Sequence, residues 1–489
     1  MTTSIRSPLS AVFFCLLTLL LCAAGPLWRA EAGGPARQGV AMAGGPGEWT
    51  RVTDVTSSNL REVALARTAD GYLHIVWVQE FKDPASGYTR HNLVHSIMDP
   101  NGRVQGEPDP IVADINSISN TGVVVTPDGG LRVFFGALDP QRREFQGNVY
   151  TATGDVTGAD WAFEPRPVSR SSNAGTSQAI AATVASDGTF FTAFGSSYHR
   201  GLDGREDDTS FQRACCAYHP ALATDAESGE VVLAWSSNAS KEYGLFTQSL
   251  APAPGEKVYV PGSAREDRNA AIAPSQQMAL TARRSAGGVY TAYCTGYPTC
   301  DGITLWRHGG GEPLVVSANP GGNVQAVNIA AGPEGRLWVL WRNREQFFFT
   351  RSNKALTRFG PVVSVSPPAG TGMMYHLKGE GSVWPLDAFA TFQNQGELAT
   401  WHTQVLPTLS LDVNPRVFAG TDGATVTLTV TDAGDPVEGA TLEVGGKSAT
   451  TDAQGRASLA FPKGTSAGRL AVKASIRGYN DASAHITAR

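Results

Sequence analysis

The sequence predicts an all-β protein: a β-propeller of seven blades, with six as the alternative, followed by a small β-sandwich. Three observations predict it. A short hairpin recurs along most of the chain, the glycine and proline content (54 and 29 of 489 residues) supplies many turns, and the strand pattern changes character after residue 407. Spacings of roughly 40–60 residues between hairpins suit a four-stranded propeller blade.

The chain opens on a targeting pattern. Arg6 precedes a mostly apolar run from Leu9 to Gly25, and Ala30-Glu31-Ala32 places small residues where a signal peptidase cuts. Residues 1–32 therefore read as a signal peptide and 33–47 as a flexible Gly-rich leader, so the mature protein is expected to be secreted, to the medium or the cell surface, without a membrane span. Pro26 and Arg29 interrupt the apolar run before it reaches spanning length.

The hairpins follow across residues 48–407. Ala64–Ala66 leads through Asp70-Gly71 to Leu73–Trp77, and Val123–Val125 through Asp128-Gly129 to Val133–Phe135. Ile180–Ala182 leads through Asp187-Gly188 to Phe190–Phe194, and His219–Thr224 through Gly229 to Trp235. Leu280–Ala282 runs through Gly287-Gly288 to Val289–Tyr293, and Val327–Ala330 through Glu334-Gly335 to Leu337–Trp341. The seventh, around Leu386–Phe392, is less regular. Asp-Gly and its relatives supply the positive φ of a tight turn. Small residues in each first strand and an aromatic closing each second strand suit packing around an axis. A strand at 49–55 is placed to pair with 397–405 and close the ring, which leaves no free edge.

Residues 408–489 alternate differently. Thr425–Val430 and Arg469–Ser475 are period-2 strands, and Gly439–Val444 with Thr451–Ala457 completes a pattern that resembles bacterial Ig-like or carboxypeptidase-regulatory-like β-sandwich modules. That resemblance implies a spacer or adhesion unit beside the propeller.

Composition excludes some classes. A net charge of −5, with 17% charged residues and no long basic run, gives no footprint for nucleic acid. Walker, Rossmann, nucleophile-elbow and His-Glu-x-x-His patterns do not occur. Four cysteines lie beyond the signal peptide: Cys215, Cys216, Cys294 and Cys300. In an exported chain they are expected in disulfides. Cys294 with Cys300 and a vicinal Cys215–Cys216 bridge is one pairing; cross-links between neighbouring blades are the others. No cofactor is expected, although the acidic run 201–208 offers oxygen ligands of the kind calcium takes. A monomer is expected.

A propeller gathers the loops that enter its first strands and leave its second strands at one end of the axis. Gln79, Glu80, Asn238 and Arg342 leave second strands there, and Tyr218, His219 and His376 enter first strands. Such hydrogen-bonding groups suit a glycan or another extracellular ligand.

Arg61-Glu62-Val63-Ala64-Leu65, then Asp70-Gly71 and a strand ending at Trp77, resembles the first blade of sialidases, and 153–161 resembles their Asp-box with one residue too many. Proline does not follow Arg61 as it does in that family. The resemblance implies Arg61 as a carboxylate-binding arginine, Asp83 as general acid and Tyr375 as nucleophile. Arg213, Arg265, Arg268 or Arg342 would supply the remaining arginines, and Glu62, Glu80 or Glu206 the glutamate beside the tyrosine. Three readings follow: a recognition propeller, a sialidase-like glycoside hydrolase, or a structural, adhesive surface protein.

Overall fold

The computed structural model describes residues 47–53, 62–169, 180–202, 204, 208–212, 216–265, 268–269, 271–272, 277–296, 299–372, 374–394 and 397–489. The signal-peptide reading and nearly all of the leader lie outside these residues.

Each hairpin repeat opens an antiparallel sheet. Sheet I pairs Ala64–Arg67, Leu73–Lys82, Thr89–Met98 and Val104–Ile115 in chain order. Sheets II, III, IV and VI begin with Ser117–Val125, Ile180–Val184, Ala217–Thr224 and Ala326–Ala331, and in sheet V both Ala271–Ile272 and Leu280–Ala282 pair with Val289–Thr295. Sheet III is the slightest, its outer strands only Ser197–Arg200 and Thr209–Ser210. Sheet VII comprises Met374–Glu380, Leu386–Asn394 and Glu397–Val405, completed by Thr50–Arg51. That last pairing sets Thr50 opposite His402 and Arg51 opposite Trp401, so the chain's beginning closes the seam. Each first strand lies beside the first strand of the next sheet, and Met374–Glu380 returns to Ala64–Arg67. These sheets, seven among the described residues, form the ring of a β-propeller.

Local chemistry explains the repeat. Gly71, Gly129 and Gly188 take φ of 90°, 87° and 82° in their turns, a region costly for any side chain with a Cβ. The second strands carry the bulk. Trp77, Trp235, Trp338 and Trp341 are buried, and the apolar clusters join residues of neighbouring sheets rather than of one sheet. Dispersion and apolar burial between sheets therefore hold the ring.

Behind the ring, one sheet of Ser410–Asn414, Ala424–Asp432, Asp435–Pro436 and Arg456–Phe461 faces another. The second contains Val417–Phe418, Thr441–Val444, Lys447–Thr450, Gly468–Ser475 and Ala482–Ala488. Their shared core draws on Val426, Leu428, Val430, Leu442, Val472 and Ile486, all fully buried. Ion pairs join this two-layer unit to the sheet VI region. Arg351 and Arg336 of sheet VI reach Asp432, Arg336 Nη2 lies 2.6 Å from Asp435 Oδ2, and Tyr479 hydroxyl donates to Asp432 at 3.2 Å. The Arg351 guanidinium also lies 4.1 Å from the Trp384 ring centre. Among the described residues, no helix is long and apolar enough to cross a membrane.

Sheet I hides a titratable pair. His74 Nδ1 and His95 Nε2 are 3.0 Å apart with stacked rings, beneath the loop carrying Gly158. Burial lowers His74 to about 4 and, with His74 beside it, His95 to about 3. Both are neutral in the fold, whereas free imidazole titrates near 6.5. Stability is thus complete above pH ~6.5 and falls as pH drops toward 4, by up to about 1.4 kcal/mol per pH unit for each ring. Melting midpoints between pH 7 and 4 are expected to fall more steeply for the native protein than for His95→Gln. Parallel profiles would refute this assignment.

Candidate ligand site at the axial end

Three sheets bring a polar group together where first strands begin and second strands end. Glu62 precedes the first strand of sheet I, Arg342 ends the second strand of sheet VI, and Tyr375, His376 and Lys378 lie on the first strand of sheet VII. A β-bulge between Met374 and Leu377 shifts the register there. Such a bulge redirects the side chains around it, and His376 is packed away while Lys378 lines the axis.

The cluster is nitrogen-rich. Arg342 donates from Nη1 to Gln325 Oε1 and from Nη2 to the Tyr375 carbonyl at 2.9 Å. Both acceptors are neutral, and Arg342 Nε has no partner among the described residues. Neither ring nitrogen of His376 has one. Glu62 stands 3.9 Å from His376 Nδ1 and 3.9 Å from Lys378 Nζ. Burial, then the charges of Arg342 and Lys378, lower His376 to about 3, so it is a neutral imidazole at physiological pH. Burial alone lowers Arg342 to about 10, which still leaves it charged. Lys378 donates to Gln277 Oε1 at 3.2 Å, and Gln277 Nε2 donates to the Ile180 carbonyl at 2.9 Å. This relay spans the axis from sheet VII to sheet III.

The other sequence-predicted residues are spread around this end. Gln79 Oε1 accepts from Asn92 at 3.1 Å, and buried Glu80 lies 3.5 Å from His91 Nε2. Tyr218 is exposed, with its ring centre 6.2 Å from that of His219. His219 holds φ 59°, a strained value for a side-chain-bearing residue, and its carbonyl accepts from Met278 N at 2.9 Å. Asn238 is exposed late in the second strand of sheet IV.

Of the implied hydrolase residues Arg61, Asp83 and Tyr375, the structure describes Asp83 and Tyr375. Arg61 lies outside the described residues, as do Arg213 and Glu206. Asp83 caps its own turn, accepting from Ala85 N at 3.0 Å, Ser86 N at 3.2 Å and Ser86 Oγ. The bond from Ser86 Oγ leads the causes that lower its pKa. A general acid must hold its proton near neutral pH, whereas these bonds favour the charged carboxylate. Tyr375 hydroxyl donates to Gln393 Oε1 at 3.2 Å, an amide rather than the expected glutamate.

Cys294 and Cys300 form a disulfide that closes a six-residue step within sheet V, which excludes cross-links between blades through either residue. Cys216 is also disulfide-bonded, and Cys215 lies outside the described residues. Among the described residues, no His, Cys, Asp and Glu cluster could hold a metal ion, and Asp203, Glu206 and Asp207 of the acidic run lie outside them. Asp208 instead accepts from Ser169 Oγ at 2.7 Å and faces His199 Nδ1 at 3.1 Å. Lys378 escaped the sequence reading, because its axial placement depends on the bulge. Its one signal is a lysine interrupting the strand after His376-Leu377.

No protein-family profile matches the chain, and no curated protein does. Among solved structures it is similar to a post-proline cleaving enzyme from Rickettsia typhi at 9% identity and TM-score 0.39, over 75% of this chain and 58% of that one. It is similar to a Trypanosoma rangeli sialidase in complex with the inhibitor DANA at 8% identity and TM-score 0.38, over 73% of this chain and 59% of the sialidase. The Dos1 propeller aligns at 9% identity and TM-score 0.40, over 73% of this chain and 95% of its own. The chain thus spans less than two thirds of both enzymes' lengths.

Proposed function

We propose that this protein is a secreted recognition propeller that binds a glycan or another extracellular polar ligand at the axial end, with the C-terminal sandwich as an Ig-like companion module. One observation carries the reading. Arg342 and His376 are buried, and Arg342 Nε and both ring nitrogens of His376 have no hydrogen-bond partner among the described residues. A buried polar atom left unpaired costs about 1–3 kcal/mol. A ligand bringing hydroxyl or carboxylate oxygens offsets that cost, and selectivity for such oxygens follows from it. Exposed Tyr218 supplies an aromatic face beside the strained His219. The Cys294–Cys300 disulfide agrees with an oxidising compartment.

The test is a glycan array probed with the full chain, beside Arg342→Lys and His376→Ala. Retained neutral or acidic glycans should lose about tenfold or more in affinity in both variants. Absence of any glycan bound by the native protein, or equal retention by the variants, overturns the proposal. Turnover of aryl glycosides or sialosides would overturn it in favour of the hydrolase.

A further inference from the structure

The opposite end of the axis carries a second feature. The first strands present small residues to the centre, among them Ala64, Gly122, Ala182, Ala223, Ala282 and Ala330, and leave a bore of about 860 Å³. That volume lies within the range of small-molecule sites. At the ligand-site end, Lys378 and Gln277 line the bore. At the other end its rim includes exposed Ala226 and Arg284 with buried Arg67 and Arg283.

Charge is not balanced on this wall. Four cations line the bore, Arg67, Arg283, Arg284 and Lys378, and Glu380 is the carboxylate facing them. Glu380 is already engaged, with Oε2 taking Arg67 Nε and Oε1 accepting from Ser382 N at 3.1 Å. Arg67 takes Asp387 as well, and Lys378 faces Glu62. Arg283 Nε and Nη2 donate to the carbonyls of Gly335 and Lys354, both at 2.6 Å, and among the described residues no carboxylate pairs with it. Arg284 Nη2 remains 3.9 Å from Glu380. The turn aspartates Asp70, Asp128 and Asp187 are not among the residues that line the bore. Asp70 accepts from Thr68 Oγ1 at 2.6 Å, Asp187 from Thr189 N at 2.9 Å, and Asp128 from Thr126 Oγ1. A low-dielectric cleft lined by one sign of charge concentrates the opposite ion.

We infer that the turn end of the bore binds a slim organic anion, with its carboxylate at Arg284 and Arg283 and its apolar body along the alanine-lined wall. The site lies at the opposite end from the recognition surface proposed above and stands without it. Calorimetric titration of the full chain with hexanoate, hexanol and inorganic phosphate tests it. Hexanoate should bind more tightly than either the uncharged chain or the chainless anion. Arg284→Gln should weaken hexanoate by about tenfold or more. Ala226→Phe, at an exposed rim position, should block it with the melting midpoint unchanged. No hexanoate binding, hexanol binding as tightly, or full affinity in both variants overturns the assignment.

Discussion

Asp432→Asn is expected to be among the most damaging single substitutions in the chain. Its carboxylate is buried between sheet VI and the sandwich, receiving Arg351, Arg336 and the Tyr479 hydroxyl. The arginine side chains are 1% and 5% exposed, so neither finds water when the charge is lost. Asp435 still meets Arg336, but Arg351 is left against Trp384 and Tyr479 with no counter-charge. Breaking a buried pair by removing one partner costs about 3–5 kcal/mol. Chemical denaturation should show a lower midpoint, and limited proteolysis should open the segment near Pro407, whose carbonyl accepts from Asn480 N at 2.9 Å. Denaturation and cleavage profiles that superimpose on those of the native protein would count decisively against a buried ionic clasp.

Asp387→Asn should open the ring at its seam. Arg67 of sheet I donates to Asp387 of sheet VII, whose other oxygen accepts from His402 Nε2 at 2.8 Å and Gln404 Nε2 at 3.0 Å. Burial pushes this carboxyl's pKa upward, but His402, Arg67 and Gln404 together prevail and hold it below the usual range. Its contribution is therefore present above pH ~4 and lost as pH falls through the lowered value. At neutral pH the asparagine leaves Arg67 with Glu380 alone, and a loss of about 3–5 kcal/mol is expected. The seam is the place to look, because the N-terminal strand there is short, with Thr50 and Arg51 paired to His402 and Trp401 and the Val52 and Thr53 amides donating to the Thr400 carbonyl. Hydrogen exchange should quicken selectively in 397–405. Unchanged protection there would show that apolar packing, not this network, closes the ring.

Several features were legible because their causes are local. The Asp-Gly turns and period-2 strands read out sheet by sheet, since a turn's φ and a strand's alternation are set within a few residues. The end where loops converge followed from the repeat alone, and Arg342, Tyr375 and His376 do meet there with Glu62. Asp83 shows the limit of positional resemblance: it sits in the anticipated loop, yet Ser86 and two backbone amides occupy its carboxylate.

By itself, then, the sequence determined an all-β ring of repeated hairpins, a following sandwich, the converging end and a short-range option for Cys294 and Cys300. The tertiary structure decided which side chains are buried without partners, which cations lack a carboxylate, and that the sandwich is clasped to sheet VI. The reason is physical. Strand and turn preferences arise from neighbours in the chain. Charge balance and desolvation depend on residues far apart in it, such as Arg67 with Asp387 and Arg351 with Asp432, and a one-residue bulge beside His376 changes which face each neighbour takes.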